Sequence, residues 1–535
     1  MALDETTRKT ISDAVLLTRT GGEVSISEGD RRMLALYDNG IAIVAKGERW
    51  SSEVKMILGT AKRAGYEFSE FLERSVPEIL DLYSEHAKTG ADTPVLQIDI
   101  ERQAELAAIL RQAAQENASD LRIRIVPRYT EMRVRVFGRM RDFGSRRAED
   151  GQALIKAAFA AASDLGANQS DLSPQQGALT RASGLLPPGV DLIRLQYSPT
   201  SERRGSLSMR LKYHARAGET EIDSLGYDPD QIKDIALMRK RTNGLYMLAG
   251  KVSSGKTTTM QRILNRMYDE KHGEISIYTA EEPVELDVPS AVQVPVKVLQ
   301  DGYDGFVEIM KASMRSDPNV IVVGEIRSTE TAQLAIRAVK TGHALWSTIH
   351  AASALGILDR LLDLGVGRYE LGDPEVVRGL IYQRLVGTMC PSCRITLEEG
   401  LRREAIEPDL AERLCVLTGK HGRQLFLRGP GCDHCQLGLA GRTVVAETIL
   451  ADETLLTHFY QQDRAAMRRY WLAPKSEGGM GGIPVLHHAL AKVGAGICDI
   501  NEVEEEVDLL STYESRFPHM KSRLLKDIRR MEGKN

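Results

Sequence analysis

No stretch of this chain approaches the ~20 consecutive apolar residues that a membrane-spanning helix needs, and its opening, MALDETTRKT, lacks the apolar core of a signal peptide. A cytoplasmic protein is expected. Cysteine is scarce: six residues in 535 exclude the disulfide framework of a small secreted domain. An excess of one charge is also missing. The 70 basic and 74 acidic residues leave a formal net charge of −4, so there is no global pull towards nucleic acid or anionic lipid, and any electrostatic partner must be met locally. What is present, 42% hydrophobic and 27% charged residues, is the composition of an ordinary globular protein. The length is too great for one core and, at ~100–200 residues per domain, indicates three or four domains.

The most informative stretch is Gly250-Lys251-Val252-Ser253-Ser254-Gly255-Lys256-Thr257, a match to the G-x-x-x-x-G-K-[ST] phosphate loop. Its glycines let the backbone wrap so that successive N–H groups point inward at phosphate. Lys256 then reaches the β- and γ-phosphates, and Thr257 offers a hydroxyl to Mg²⁺. A buried strand, Leu245–Ala249, enters the loop. A helix from Thr258 to Arg266 leaves it, placing Ser253, Ser254, Gly255 and Thr258 around a positive helix N-terminus. ATP with Mg²⁺ is the expected ligand.

Downstream, a strand over Glu274–Tyr278 leads to Glu281-Glu282-Pro283-Val284-Glu285, acids at the carboxyl end of a strand, where doubly wound sheets bind ligand. The buried strand Val320–Val323 runs into Gly324-Glu325, so Glu325 stands where a Walker B acid belongs. Helix Thr329–Lys340 closes at Gly342, and His343 and His350 bracket a strand over Ala344–Ile349. A lone histidine is usually structural, but two that flank one strand of a nucleotide sheet are candidates for a role at the γ-phosphate.

Four of the six cysteines fall in two C-x-x-C pairs, Cys390/Cys393 and Cys432/Cys435, separated by thirty-eight residues. Two such knuckles complete a tetrahedral Cys₄ set with no open position, the pattern of structural Zn²⁺. Redox C-x-x-C motifs normally occur singly. Cys415 and Cys498 are isolated and read as core residues.

Before the nucleotide region, Leu121–Val126 and Met132–Phe137 alternate strictly around Pro127–Glu131, a hairpin with one apolar and one arginine face. Nine arginines lie between Arg122 and Arg147 against Glu131 and Asp142. A solvated sheet face and nucleic acid are the competing readings. Few aromatics, Tyr129, Phe137 and Phe143, fall among the arginines, so contact with a polyphosphate is preferred. An Ala-rich helix (Ala153–Leu165) and strands carrying Arg194 and Arg210 complete this α/β domain. The domains read as 1–117, an N-terminal docking region or cap; 118–213, the arginine-bearing domain; 214–230, a hinge; 231–389, the P-loop core; 390–449, the zinc subdomain; and 450–535, a helical C-terminal region whose last stretch looks like a solvated helix.

Several segments together resemble the secretion ATPase superfamily, in particular its type II secretion and type IV pilus assembly ATPases. Ala118-Ser119-Asp120 with Arg133, Arg135 and Gly138 is similar to the opening of that family's second domain, and Arg194 through Leu211 to its arginine-bearing strands. Glu281–Glu285 resembles its Asp box, Ser316–Arg327 its Walker B segment, and Thr341–His343 with Ser347–His350 its His box. Gln383–Val386 into the first knuckle, and Gly431 through Arg442, look like the assembly subfamily's zinc region. Glu282, Phe137, Lys251, Ser253, Arg122 and Arg124 depart from the usual residues, which marks a divergent branch.

The resemblance implies a RecA-like ATPase domain preceded by a smaller PAS-like α/β domain, assembled as a homohexamer. It also implies a cytoplasmic location at the inner membrane, through a platform protein onto which the work of ATP hydrolysis is transmitted. Glu281 is expected to orient and deprotonate the attacking water, Glu325 and Thr257 to hold Mg²⁺, and Arg194 and Arg210 to offset phosphoryl charge when two domains close on the nucleotide. Three alternatives remain at this stage. They are a nucleic-acid translocase, a conjugation or type IV secretion ATPase of the same superfamily, and a zinc-stapled nucleotide-sensing scaffold without turnover. Direct nucleic-acid binding is not expected.

Overall fold

The computed structural model describes residues 14–533 except 20–22, 25, 27–29, 77, 81, 84–92, 163–172, 201–203, 214–220, 283, 285–287, 289–290 and 297–304. Two compact units emerge, Met1–Val136 with Met140–Leu211, and Phe137–Arg139 with Lys212–Asn535. Among the described residues no helix is long and apolar enough to cross a membrane.

The first unit begins with a three-stranded sheet in the order β1-β2-β3, formed by β1 (Leu34–Leu36), β2 (Ile41–Ala45) and β3 (Glu70–Arg74). Every residue of β1 and β2 is buried, as short, wholly apolar runs demand. Helix Ser52–Arg63 starts where Ser51 accepts from the Val54 N–H and buries Val54, Ile57 and Ala61 on one stripe. Strand β3 is an edge strand, paired parallel to β2.

The arginine-bearing region forms a six-stranded sheet in the order β6-β5-β4-β9-β8-β7. Its strands are β4 (Asp120–Ile125), β5 (Thr130–Val136), β6 (Arg139–Arg146), β7 (Gln175–Leu179), β8 (Val190–Pro199) and β9 (Gly205–Tyr213). The period of two sorts the hairpin: Leu121 faces Val134 and Ile123 faces Met132 on the buried side, while Arg122 faces Arg133 and Arg124 faces Glu131 on the other. Helices Thr93–Gln115 and Ala148–Ala160 accompany this sheet. The second starts five residues before the expected Ala153, and its expected end at Leu165 lies outside the described residues. Phe137 (φ 48°) and Gly138 (φ 90°) form the β5–β6 turn. Both positions are left-handed, which favours the acid usual in the family over phenylalanine.

The second unit is organised on a seven-stranded sheet in the order β12-β11-β13-β14-β10-β15-β18. Here β10 is Gly244–Ala249, β11 Ile277–Glu281, β12 Ala291–Pro295, β13 Val320–Val323, β14 Ala344–Ile349, β15 Val377–Met389 and β18 Leu439–Leu450; β16 (Ile395–Thr396) and β17 (Phe426–Leu427) make a separate small ribbon. The six strands β10–β15 run parallel and β18 antiparallel. Burial on both faces explains the continuous apolar runs. Leu245, Met247 and Ala249 face a layer with Ile336, Val339 and Leu358, whereas Tyr246 and Leu248 face Met260, Ile263 and Leu264 of the opposite layer. On that second face Tyr246 and Trp346 stack with centroids 4.4 Å apart.

Three boundaries differ from the sequence reading. The strand expected over Glu274–Tyr278 runs Ile277–Glu281, so Glu281 is its last residue. Strand β18, expected in the zinc subdomain, pairs with β15 from Gly379↔Leu450 to Met389↔Leu439, which limits the cysteine-bearing excursion to residues 390–438. Of the hinge expected at 214–230, residues 214–220 lie outside the described residues, while Ile222 and Tyr227 are buried in the core and Asp228 caps helix Pro229–Lys240.

The C-terminal region is helical, with Val485–Gly494, Ile500–Glu506, Leu510–Arg516 and Lys521–Glu532 sharing a core with β15 and β18. The last of these is not a solvated helix. It buries Leu524, Asp527 and Ile528, and Asp527 Oδ2 lies 3.0 Å from Nε2 of buried His487. Burial holds the His487 imidazole below its ordinary pKa despite that carboxylate.

Candidate active site

The phosphate loop joins the buried strand β10 to helix Lys256–Glu270, whose N-cap, Gly255, takes φ 81° and supplies no side-chain cap. No capping side chain therefore competes with a ligand at this helix N-terminus. Gly250 is required by close approach: a Cβ there would lie 2.4 Å from Ser254 Oγ and 2.5 Å from the Gln383 carbonyl oxygen. Lys256 Nζ donates to the carbonyls of Gly250 (3.0 Å) and Lys251 (3.1 Å), closing the loop on itself. Ser254 Oγ is buried without a hydrogen-bond partner among the described residues. A buried, orphaned hydroxyl in a cradle of N–H groups suits an incoming phosphate oxygen.

Ser253 replaces the glycine usual in the family and sits at φ 64°. The left-handed region costs a side-chain-bearing residue about 1 kcal/mol, so Ser253→Gly is expected to raise stability by about that amount, read from the midpoint of urea unfolding. An unchanged or lowered midpoint would show that Ser253 makes a compensating bond.

Across the carboxyl ends of the parallel strands the other candidates fan out from the loop in sheet order. His350 follows β14, next to β10; Glu325 follows β13; and Glu281 ends β11. At ~4.8 Å per strand these stand roughly 5, 10 and 14 Å to the side of the loop strand, the span of a triphosphate with its attacking water. Glu325 Oε1 lies 3.0 Å from His350 Nε2, and its Oε2 accepts from Arg327 Nε at 2.8 Å. Arg327 also meets Glu282 Oε2 at 3.2 Å, which gives the unusual second acid of this segment a partner. Glu281 accepts from Thr279 Oγ1 (2.7 Å) and Gln293 Nε2 (2.8 Å), both on Oε1, leaving Oε2 to take a proton. Gly324 permits this convergence, since a Cβ there would lie 3.2 Å from the Ala280 carbonyl oxygen.

His343 does not join this group. It precedes β14, and its carbonyl accepts from the N–H of Gly244 at the start of β10, the end of the sheet opposite the phosphate loop. Six residues of strand, about 20 Å, separate it from His350. Its Nδ1 caps the preceding helix by donating to the Ala338 carbonyl (3.0 Å). Within this chain it therefore lies at the far end of β14 from the phosphate loop.

In the first unit, Arg210 Nε donates to Asp120 Oδ1 at 2.9 Å, and Arg135 lies 3.7 Å from the other oxygen of that carboxylate. Arg194 is half-buried on β8, opposite Ala178 of β7. Much of the arginine face is thus balanced within its own unit: Arg146 pairs with Glu105, and Arg141 with Glu116.

The four cysteines converge. Their sulfurs all lie within 4.8 Å of one another, with Cys390–Cys432 at 3.8 Å, Cys393–Cys435 at 3.6 Å and Cys432–Cys435 at 3.7 Å. Four thiolates about 2.3 Å from one tetrahedral ion stand about 3.8 Å apart, so the donor set fits Zn²⁺. The knuckles can approach because Gly429 has no side chain; a Cβ there would sit 1.7 Å from the Cys393 carbonyl oxygen.

Two residues at the nucleotide site were missed in the sequence, Gln383 and Tyr227. Gln383 is a fully buried polar residue inside the apolar strand β15, and that anomaly was the available signal. Tyr227 sat in a segment read as hinge.

Against known proteins, residues 99–504 match the family described as type II/IV secretion system protein. The type II secretion system ATPase E of Vibrio cholerae is 28% identical over 484 residues, 90% of this chain and 86% of that protein. The type IV pilus assembly ATPase PilB of Pseudomonas aeruginosa is 37% identical over 231 residues, 43% of this chain and 38% of that protein. In fold, the Yersinia pseudotuberculosis ATPase DotB is similar with a TM-score of 0.51 at 18% identity, covering 79% of this chain and 94% of that one. Phosphate loop, acid fan and paired knuckles lie within the matched span, and the chain belongs to the type II/IV secretion system protein family.

Proposed function

We propose that this chain is the ATPase that powers assembly of a type II secretion pseudopilus or a type IV pilus. The observation that carries the reading is the arrangement of Lys256, His350, Glu325 and Glu281 along the carboxyl edge of one parallel sheet. The names of the relatives, a secretion ATPase and a pilus assembly ATPase, support the choice of process.

Lys256 and the N–H groups of residues 250–257 bind the phosphates, with Ser253, Ser254 and Thr258 around them. Thr257 and Glu325 would hold Mg²⁺, whose charge offsets that of the phosphates. Glu325 must release His350 or Arg327 to do so, and the freed group is then in place to face the γ-phosphate. Glu281 orients and deprotonates the attacking water. The Cys₄ set holds Zn²⁺ in a structural role. The working form is a homohexamer on an inner-membrane platform protein, on the cytoplasmic side.

Glu281→Gln is expected to bind MgATP normally and to hydrolyse it at least about a hundredfold more slowly, because the water loses its base. Glu325→Gln is expected to need more Mg²⁺ for binding as well. Fluorescent-nucleotide titrations at varied Mg²⁺, beside phosphate release, separate the two, and identical Mg²⁺ dependence would end the division of roles. For the function itself, turnover should be stimulated by the cytoplasmic part of the platform protein and not by DNA or RNA. Stimulation by nucleic acid that falls steeply with salt would instead identify a translocase.

A further inference from the structure

Gln383 of β15 and Tyr227 stand behind the phosphate loop, on the side away from any phosphate. Gln383 Nε2 donates to the Ser254 carbonyl at 2.6 Å. Its Oε1 accepts from the Tyr227 hydroxyl, which also lies 3.4 Å from Thr259 Oγ1 in the first turn of the loop's helix. Both side chains are buried. Tyr227 is itself held on each side: Lys492 Nζ donates to the Gly226 carbonyl at 2.7 Å, and Arg530 pairs with Asp228. Gly255 brings the loop this close, since a Cβ there would lie 3.3 Å from Gln383 Nε2.

We propose that Gln383 and Tyr227 are positioning residues that fix the Ser254–Gly255 peptide so that its N–H points at the β-phosphate. In a trans peptide the C=O and the following N–H point in opposite directions. Anchoring the Ser254 carbonyl to Gln383 behind the loop therefore turns the Gly255 N–H into the concave side, where phosphate sits. The Tyr227 hydroxyl decides which way round the Gln383 amide lies. With the hydroxyl donating to Oε1, only Nε2 is left to face the carbonyl; without it the amide can turn over and present Oε1 to another oxygen. The inference rests on the phosphate-loop reading and names residues that reading does not contain.

Because the Gly255 N–H meets phosphate in the ground state and the transition state alike, its loss should appear in affinity rather than in turnover at saturation. Gln383→Met keeps the volume and removes the donor, and Tyr227→Phe removes only the hydroxyl. ADP and ATP titrations of each full-length variant, with site stoichiometry and kcat, should show Kd raised about tenfold, kcat within about twofold of the parent and an unchanged number of sites. The double variant should bind about as Gln383→Met alone, as the tyrosine reaches the Ser254 carbonyl through the glutamine and its 3.4 Å contact with Thr259 Oγ1 is long. A purely structural role would instead lower the number of competent sites at unchanged Kd, and that result, additive effects, or unchanged affinity in Tyr227→Phe would overturn the proposal. Lys256→Ala in the same titrations keeps the two readings apart. If it too leaves affinity and turnover unchanged, the phosphate loop is misassigned; if it alone impairs them, only the positioning role falls.

Discussion

Lys256→Ala should lower ATP turnover by about a thousandfold and leave the melting temperature within a few degrees of the parent. The side chain is not part of a core: its Nζ donates to loop carbonyls, those of Gly250 and Lys251, and a loop closed on its own lysine is poised to hand that lysine to phosphate. The strand before it and the helix after it are held by packing that the substitution does not touch, with Leu245, Met247 and Ala249 on one face and Met260, Ile263 and Leu264 on the other. Phosphate release at saturating ATP and a thermal melt of the same sample check both halves. Turnover near the parent rate would remove the phosphate-loop assignment, and a large drop in melting temperature would mean that Lys256 is structural.

Cys432→Ser should abolish metal binding and unfold the excursion at 390–438 without removing the nucleotide site. The native protein should carry one Zn²⁺ per chain, measured by plasma mass spectrometry. A Cys₄ site contributes on the order of 10 kcal/mol of metal-dependent folding energy at neutral pH, and three thiolates retain little of it. Locally, Cys432 meets the sulfurs of both Cys390 and Cys435, so its loss breaks contacts within and between the knuckles. Hydrogen exchange should then rise across 390–438 and stay low in β10, β13 and β14. The long β15–β18 pairing, at whose far end the excursion hangs, insulates the core from the change. A native protein that is metal-free and fully protected in this segment would refute the zinc reading.

Much of the nucleotide site was legible because its signals are local. Val320–Val323, Thr329–Lys340 and Ala344–Ile349 occur where periodicity and capping place them, and the phosphate loop announces itself through glycines whose spacing is set by one ligand. Glu281 and Glu325 stood out as candidates because an acid at the end of an apolar strand has few other reasons to be there. His343 was grouped with His350 on sequence proximity. Two histidines bracketing a six-residue strand are close in sequence but about 20 Å apart along it, a distance that follows from the strand alone.

What the amino-acid sequence determined by itself was whatever depends on neighbours a few residues apart. That covers the buried strands, the loop that wraps a phosphate, the alternation of arginine and apolar residues over 121–136, and two thiolate pairs spaced for one ion. Tertiary structure alone decided what depends on partners distant in the chain. It returned β18 to the core sheet beside β15, docked the charged helix Lys521–Glu532 through Asp527 and His487, and set Gln383 against Ser254, 129 residues away. These are hydrogen bonds and buried contacts between segments whose own patterns are satisfied in more than one way, and only the packed chain selects among them.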